Sequence, residues 1–485
     1  MKYQPVQNFI NGQFVNASTK RTLDIISPLD GNLLSTVPMS SNDDLNAAVE
    51  AAKTAFTTWS RTPIKERVQV FFRYKTLLEK HTKELAELVS EENGKTYSEA
   101  VAEIEKSIEL TEFATSLPQL VTGELLEVSR GIECRTEHVP LGIVASIVPF
   151  NFPSMVPNWT LPNAIALGNC LIIKPSEKVP LSCGRLAELL KEAGLPDGVF
   201  SIVHGDVEIV EAICDHPAIQ AVSFVGSTKV AKIVYQRATS HYKRCLALGG
   251  AKNHLMVLPD AIPTMTAQNV AASMSGCAGQ RCMAASAMVG VGNVDHIIDK
   301  ICDEARKIIP GQNLGAVINK ASKDRIEQFI TEAEQQGAKI LVDGRNVKVE
   351  GKENGTYVGP TVIDFVTPEM SVATEEIFGP VISIMRTNTV DEALAIENAN
   401  PYGNAASVFT QNGGMARYII DHASAGMIGV NVGVPVPREP FSFGGWNDSK
   451  FGVGDITGKS SIEFWTKLKK STVKWNPEAG VNWMS

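Results

Sequence analysis

The stretch GQRCMAAS (residues 279–286) sets a cysteine directly after an arginine and among small side chains. Sulfur attacks as the thiolate, which needs nearby positive charge, oriented N–H groups and access for a substrate. Arg281 offers the charge, and Gly279, Ala284 and Ala285 leave room, so Cys282 is the candidate nucleophile. The commonest fate of a cysteine is that of a small buried hydrophobe. Spacing alone does not separate Cys282 from Cys277.

Three other stretches carry groups that such a nucleophile would use. PFNFP (149–153) fixes Asn151 between two aromatics and two prolines, and a rigid amide N–H is an oxyanion donor. A turn asparagine capping the next helix would look the same. IIKPSE (172–177) puts Lys174 and Glu177 just past an apolar run. At a nucleotide crevice such a pair holds ribose hydroxyls, and the glutamate repels a 2'-phosphate; elsewhere it is an ordinary loop ion pair. FVGST (224–228) places Gly226 and Ser227 between a buried run and a helical segment, where free N–H groups and the helix dipole favour a phosphate. It is not GxGxxG, and a turn glycine followed by a capping serine is the plainer alternative.

The elements that must position these residues can be read from periodicity. Residues 42 to about 120 are helical, and KERVQVFFRYKTLLEKHTKELAELVSEEN places Val68, Phe71, Phe72, Leu77, Leu78, Leu85 and Leu88 on one face. GELLEVSRGIECRTEHVP alternates like a hairpin. Four short β-branched runs follow, GIVASIVPF, CLIIKPSE, VFSIVHGD and AVSFVGST, with helical segments between them. That spacing predicts βαβ units and a parallel sheet, which binds ligands at the carboxyl ends of its strands. A second strand-and-helix region spans about 253–445, and FWTKLKKSTVKW at the end alternates like an exposed strand in need of a partner.

Composition bounds the remainder. The 485 residues exceed one core and predict two or three domains. A net charge of -8 argues against a nucleic-acid surface. Eight cysteines without CxxC and eight histidines without HExxH signal neither a disulfide framework nor a zinc or other metal site. With no signal sequence and no apolar run long enough to span a membrane, a reducing cytoplasm is the expectation.

Taken together and in this order, PFNFP, KPSE, FVGS, GAKNH (250–254), AGQRCMA (278–284), EEIFGP (375–380) and GVNVGVPVP (429–437) resemble the aldehyde dehydrogenase superfamily over essentially the whole chain. Within it the sequence is similar to the CoA-acylating methylmalonate-semialdehyde dehydrogenases. The resemblance implies an α/β fold. A Rossmann-type NAD-binding domain would comprise 1–120 and 139–248, a catalytic domain 249–465, and a small β oligomerisation arm 121–138 and 466–485. It implies a homotetramer or homodimer.

The resemblance also implies roles. Cys282 would be the nucleophile, with Asn151 and the Cys282 N–H as the oxyanion hole. Lys174 and Glu177 would hold the adenosine ribose of NAD, Gly226 and Ser227 the pyrophosphate, Glu376 and Phe378 the nicotinamide end, and Phe150 would border it. Trp159 would line the substrate site.

Hydrolytic relatives carry a glutamate in ELGG that activates water. Here LALGGAKNH offers only Ala247 or Leu248 at that place. Without a general base, water attack loses roughly 10²- to 10⁴-fold, so a thiol, coenzyme A, is the expected acceptor.

One departure concerns the substrate tail. The subfamily binds a carboxylate with two arginines; this chain keeps Arg281 but has Lys106 at the other position, and adds Arg438 in the bordering loop. Lysine keeps the charge and loses the bidentate fork. Arg281, Arg438 and Lys106 are therefore expected to meet an anionic tail. A hydrolytic semialdehyde dehydrogenase of the succinate type, and a catalytically silent binding protein, are the rival readings.

Overall fold

The computed structural model describes residues 1–475. Two sheets dominate it. The first has eight strands in the order Gln13–Val15, Asn8–Ile10, Phe200–Ile202, Cys170–Lys174, Ile143–Ile147, Ile219–Val225, Arg244–Leu248 and Lys450–Phe451. Its five central strands run parallel. Ile143–Ile147 and Cys170–Lys174 are buried along their whole length, as strands covered by helices on both faces must be. The expected βαβ series is present, and its strands deliver PFNFP, KPSE, GST and GGAK at their carboxyl ends.

The second sheet has seven strands in the order Lys339–Val342, Thr361–Asp364, Val381–Thr387, Ala285–Val291, Asn253–Val257, Ala405–Phe409 and Met427–Val430. All but the first are parallel. The chain then returns to the first sheet: Lys450 and Phe451 pair with Leu248 and Ala247. Phe443, Ile456, Ile462, Phe464 and Trp465 join that sheet's hydrophobic core.

The helical region before the hairpin departs from its expected pattern. It breaks at His81 into Ile64–Lys80 and Thr82–Asn93, so one stripe does not run through both. Val68, Phe71, Leu78 and Leu85 are buried, whereas Phe72 is 49% exposed. Adjacent helical residues stand about 100° apart, so Phe71 and Phe72 cannot share a face.

The hairpin strands Leu125–Ser129 and Ile132–Pro140 form with Thr466–Lys474 a separate three-stranded antiparallel sheet. The tail strand thus finds its partner within its own chain, over nine residue pairs from Thr466 opposite Pro140 to Lys474 opposite Ile132. Leu125, Leu126 and Leu468 on this sheet are more than half exposed. Residues 476–485, the end of the expected arm, lie outside the described residues. Among the described residues no helix is long and apolar enough to cross a membrane.

Candidate active site

Cys282 follows a tight turn. Helix Pro263–Ser275 gives way to a 3-10 turn at Gly276–Gly279. There Cys277 and Ala278 both have a φ of 53° and Gly279 one of 72°. Left-handed backbone costs a non-glycine residue of order 1–3 kcal/mol, so surrounding contacts must fix it. The Cys277 N–H donates to Glu99 Oε1 at 2.6 Å. Glu99 also closes the capping box with Thr96 at the start of helix Tyr97–Leu120. A Cβ on Gly279 would overlap the Gly379 carbonyl, so only glycine lets the cysteine loop close on the EEIFGP loop.

Beyond the turn, the Cys282 carbonyl accepts from Asn253 Nδ2 at 2.8 Å and Asn404 Nδ2 at 2.9 Å. Two amides on one carbonyl fix the residue's backbone from the second-sheet side. Cys282 is partly exposed, while Cys277 is buried. Burial pushes the Cys282 thiol up to about 12, helped by the charge of Glu376 and opposed by the Cys282 and Met283 N–H groups and by Arg281.

Asn151 follows the strand Ile143–Ile147. Its Nδ2 donates to the Gln280 carbonyl at 2.9 Å, and because a carbonyl only accepts, that contact fixes which end of the amide faces the cysteine loop. The Asn151 carbonyl accepts from Lys95 Nζ at 2.8 Å. Lys95, fully buried, also pairs with buried Glu103 and lies 4.2 Å over the Phe152 ring. Glu103 in turn accepts the Ser154 and Met155 N–H groups. A buried charge persists only when paired, and this pair clamps both sides of the Asn151 turn.

Two cavities flank Cys282. One, of about 730 Å³, is lined by Phe150, Asn151, Lys174, Glu177, Gly226, Ser227, Glu376 and Phe378 among others. Lys174 Nζ stands 3.2 Å from Glu177 Oε2. Burial holds Lys174 below its ordinary range against the pull of Glu177. Burial would raise Glu177, but the charge of Lys174 leads the opposing effects and the carboxyl ends below its ordinary range.

Ser227 precedes helix Thr228–Ser240 without capping it through its side chain, so the first-turn N–H groups are left to the cavity. Burial pushes Glu376 up to about 7 despite the Ala251 N–H, Arg325 and Lys252. A Cβ on Gly250 would run into the Glu376 carboxylate. Phe378 has a φ of 54° and meets Phe150 edge-to-face at 5.9 Å.

The other cavity, of about 570 Å³, is lined by Lys106, Trp159, Arg281 and Arg438, with Glu99, Glu109 and Glu439 in the same wall. Trp159 stacks on Phe443 at 4.7 Å. Arg281 Nη2 donates to Ala272 O at 2.8 Å and Ser273 O at 3.2 Å. Its buried Nε has no partner among the described residues. Lys106 Nζ pairs with Glu439 at 2.6 Å and Glu109 at 3.2 Å. Arg438 is exposed at this cavity.

Each candidate catalytic, cofactor-binding or substrate-binding residue from the sequence borders one cavity or the other, and among the described residues Cys282 alone borders both. Sequence reasoning missed Lys95, Glu103, Asn404 and Glu439. Asn253 lay within GAKNH, but nothing in its spacing tied it to the cysteine.

The sequence profile of the aldehyde dehydrogenase family matches residues 14–471. Malonate-semialdehyde dehydrogenase 1 of Geobacillus thermodenitrificans is 44% identical over 481 residues, covering 97% of this chain and 99% of that protein. A Sinorhizobium meliloti 1021 structure assigned as a methylmalonate-semialdehyde dehydrogenase and complexed with NAD superposes with a TM-score of 0.97 at 41% identity, covering 99% of each chain. The methylmalonate-semialdehyde dehydrogenase of Oceanimonas doudoroffii gives 0.96 at 42% identity, covering 98% of this chain and 99% of that one. With a match of that extent, and with Cys282 set between two cavities, the chain belongs to the aldehyde dehydrogenase family.

Proposed function

We propose that this protein is an NAD-dependent, CoA-acylating dehydrogenase of short anionic semialdehydes, malonate or methylmalonate semialdehyde. The observation that carries the reading is that, among the described residues, Cys282 alone borders both cavities, as a nucleophile must that meets an aldehyde on one side and a dinucleotide on the other. The larger cavity suits NAD. It offers an uncapped helix N-terminus at Gly226 and Ser227 for the pyrophosphate and the Lys174–Glu177 pair for the adenosine ribose. Glu376 and Phe378 stand at the nicotinamide end. When bound, NAD supplies the hydride acceptor.

The chain's own residues do the rest. Once the Cys282 S–H has given its proton to water, the thiolate Sγ adds to the aldehyde carbon, the carbonyl π electrons move onto oxygen, and the Asn151 amide and the Cys282 N–H stabilise that oxyanion. Loss of hydride leaves a thioester on Cys282. Ala247 and Leu248, both buried and apolar, provide no base for water at the end of Arg244–Leu248. The thiol of coenzyme A then takes the acyl group from Cys282, and a carboxylate β to the carbonyl leaves as CO2, giving acetyl-CoA or propionyl-CoA. Eight cysteines, all unpaired, suit a reducing cytoplasm. The exposed Leu125, Leu126 and Leu468 of the three-stranded sheet suit assembly into a homotetramer or homodimer.

The test is NADH formation from malonate, methylmalonate and succinate semialdehyde, each with and without CoA, with the product identified. Turnover that requires CoA and yields an acyl-CoA supports the proposal. Equal turnover without CoA, giving a free acid, overturns it.

A further inference from the structure

The substrate-side cavity carries more carboxylate than an anion site should. Glu99, Glu103, Glu109 and Glu439 stand in its wall beside Lys106, Arg281 and Arg438. Glu103 is held by Lys95, and Glu99 is spent on the Cys277 N–H and on its helix cap. Glu439 and Glu109 both rest on Lys106, at 2.6 and 3.2 Å. The Glu439 side chain is 9% exposed and that of Lys106 19%, so water screens this pair weakly. An incoming carboxylate finds Lys106 already matched by an internal one. Arg438, the residue before Glu439, borders the same cavity and makes no ion pair among the described residues.

We infer that Glu439 is a specificity-determining residue: by holding Lys106 in an internal ion pair it removes that charge from the aldehyde site and leaves tail recognition to Arg438 and Arg281. The inference rests on the reading of this cavity as the aldehyde site. It goes further by assigning the Lys106 position a masked charge, where the expectation from sequence gave it a direct contact with substrate. Freeing the lysine should therefore improve recognition of anionic tails specifically. A neutral aldehyde of similar size gains nothing from it.

The experiment compares kcat/KM for malonate semialdehyde with kcat/KM for butanal in the wild type, Glu439→Gln, and the double variant Glu439→Gln/Lys106→Met. The ratio of the two values cancels any general loss of folded enzyme. Expected is a rise in the ratio of about tenfold in Glu439→Gln, carried by KM, that disappears in the double variant. An unmoved or lowered ratio in Glu439→Gln overturns the inference, as does a rise that survives in the double variant. If the wild type turns over neither aldehyde, the reading of the cavity fails and this inference with it; if it turns over both and the ratio stays put, only the role of Glu439 is lost.

Discussion

Asn151 and Gln280, 129 residues apart in sequence, are joined by an amide-to-carbonyl hydrogen bond of 2.9 Å. The contact ties the end of a first-sheet strand to the loop that carries Cys282, so the proposed oxyanion donor and the proposed nucleophile move as one unit. Replacing Asn151 by Ala removes the donor and leaves the Gln280 carbonyl without it. We expect kcat to fall roughly 10²- to 10³-fold, with NAD affinity, read by fluorescence titration, changed far less. A fall in kcat below fivefold would sink the oxyanion role.

Burial and the charge of Glu376 push the Cys282 thiol up to about 12. A raised thiol pKa means that below that value the thiolate fraction falls tenfold with each unit of pH. Alkylation of the enzyme by iodoacetamide, without substrate or cofactor, should accelerate about tenfold per unit from pH 7 to pH 9. At pH 9, where Glu376 with its value of about 7 is ionised, Glu376→Gln removes a negative charge and should speed alkylation. A rate that levels off below pH 9 contradicts this.

Arg438 is the exposed cation of the aldehyde-side cavity. Arg438→Ala should raise KM for malonate semialdehyde about tenfold, equivalent to about 1.4 kcal/mol, and leave KM for butanal within twofold. Unchanged KM values for every anionic aldehyde would remove Arg438 from the site.

Glu177 places a carboxylate beside Lys174 in the cofactor cavity. The 2'-phosphate of NADP would meet that charge, whereas the 2'-hydroxyl of NAD can donate to it. In Glu177→Gln the preference for NAD over NADP, as the ratio of kcat/KM values, should shrink at least tenfold. A ratio that holds steady would assign discrimination elsewhere.

Asn404 shares the Cys282 carbonyl with Asn253. With Asn253 still on the carbonyl, losing the second donor costs about 0.5–1.5 kcal/mol, so Asn404→Ala should lower thermal stability modestly and reduce kcat while Cys282 remains alkylatable. Stability and kcat both at wild-type level would show the clamp to be idle.

Local patterning carried the parallel strands and the loops at their ends, because buried strands are continuous apolar runs and breakers mark their limits. The positions of Lys174 and Asn151 past strand ends followed for the same reason, whereas Cys282 stood out by its neighbours Arg281 and Gly279. What did not show was anything that depends on distant pairing. Lys95 and Glu103 look like members of a solvated helical stretch; only the fold buries them beneath Asn151. Asn404 and Glu439 belong to loops whose partners stand 122 and 333 residues away. Phe72 was misplaced because it was assigned the same helix face as its neighbour Phe71, which only one of the two can occupy. The tail strand was expected to seek an external partner, and its match with Ile132–Pro140 lies beyond the reach of periodicity.

The last strand of the first sheet, Lys450–Phe451, closes against Ala247 and Leu248, with Phe464 and Trp465 packed into the same core. On the ribosome this sheet stands with one edge bare while roughly two hundred further residues are made, at a pace of about 5–20 residues per second. The half-finished product therefore carries an unsealed edge and a missing wall for many seconds, a period of vulnerability to aggregation that ends only when the segment through Trp465 has emerged.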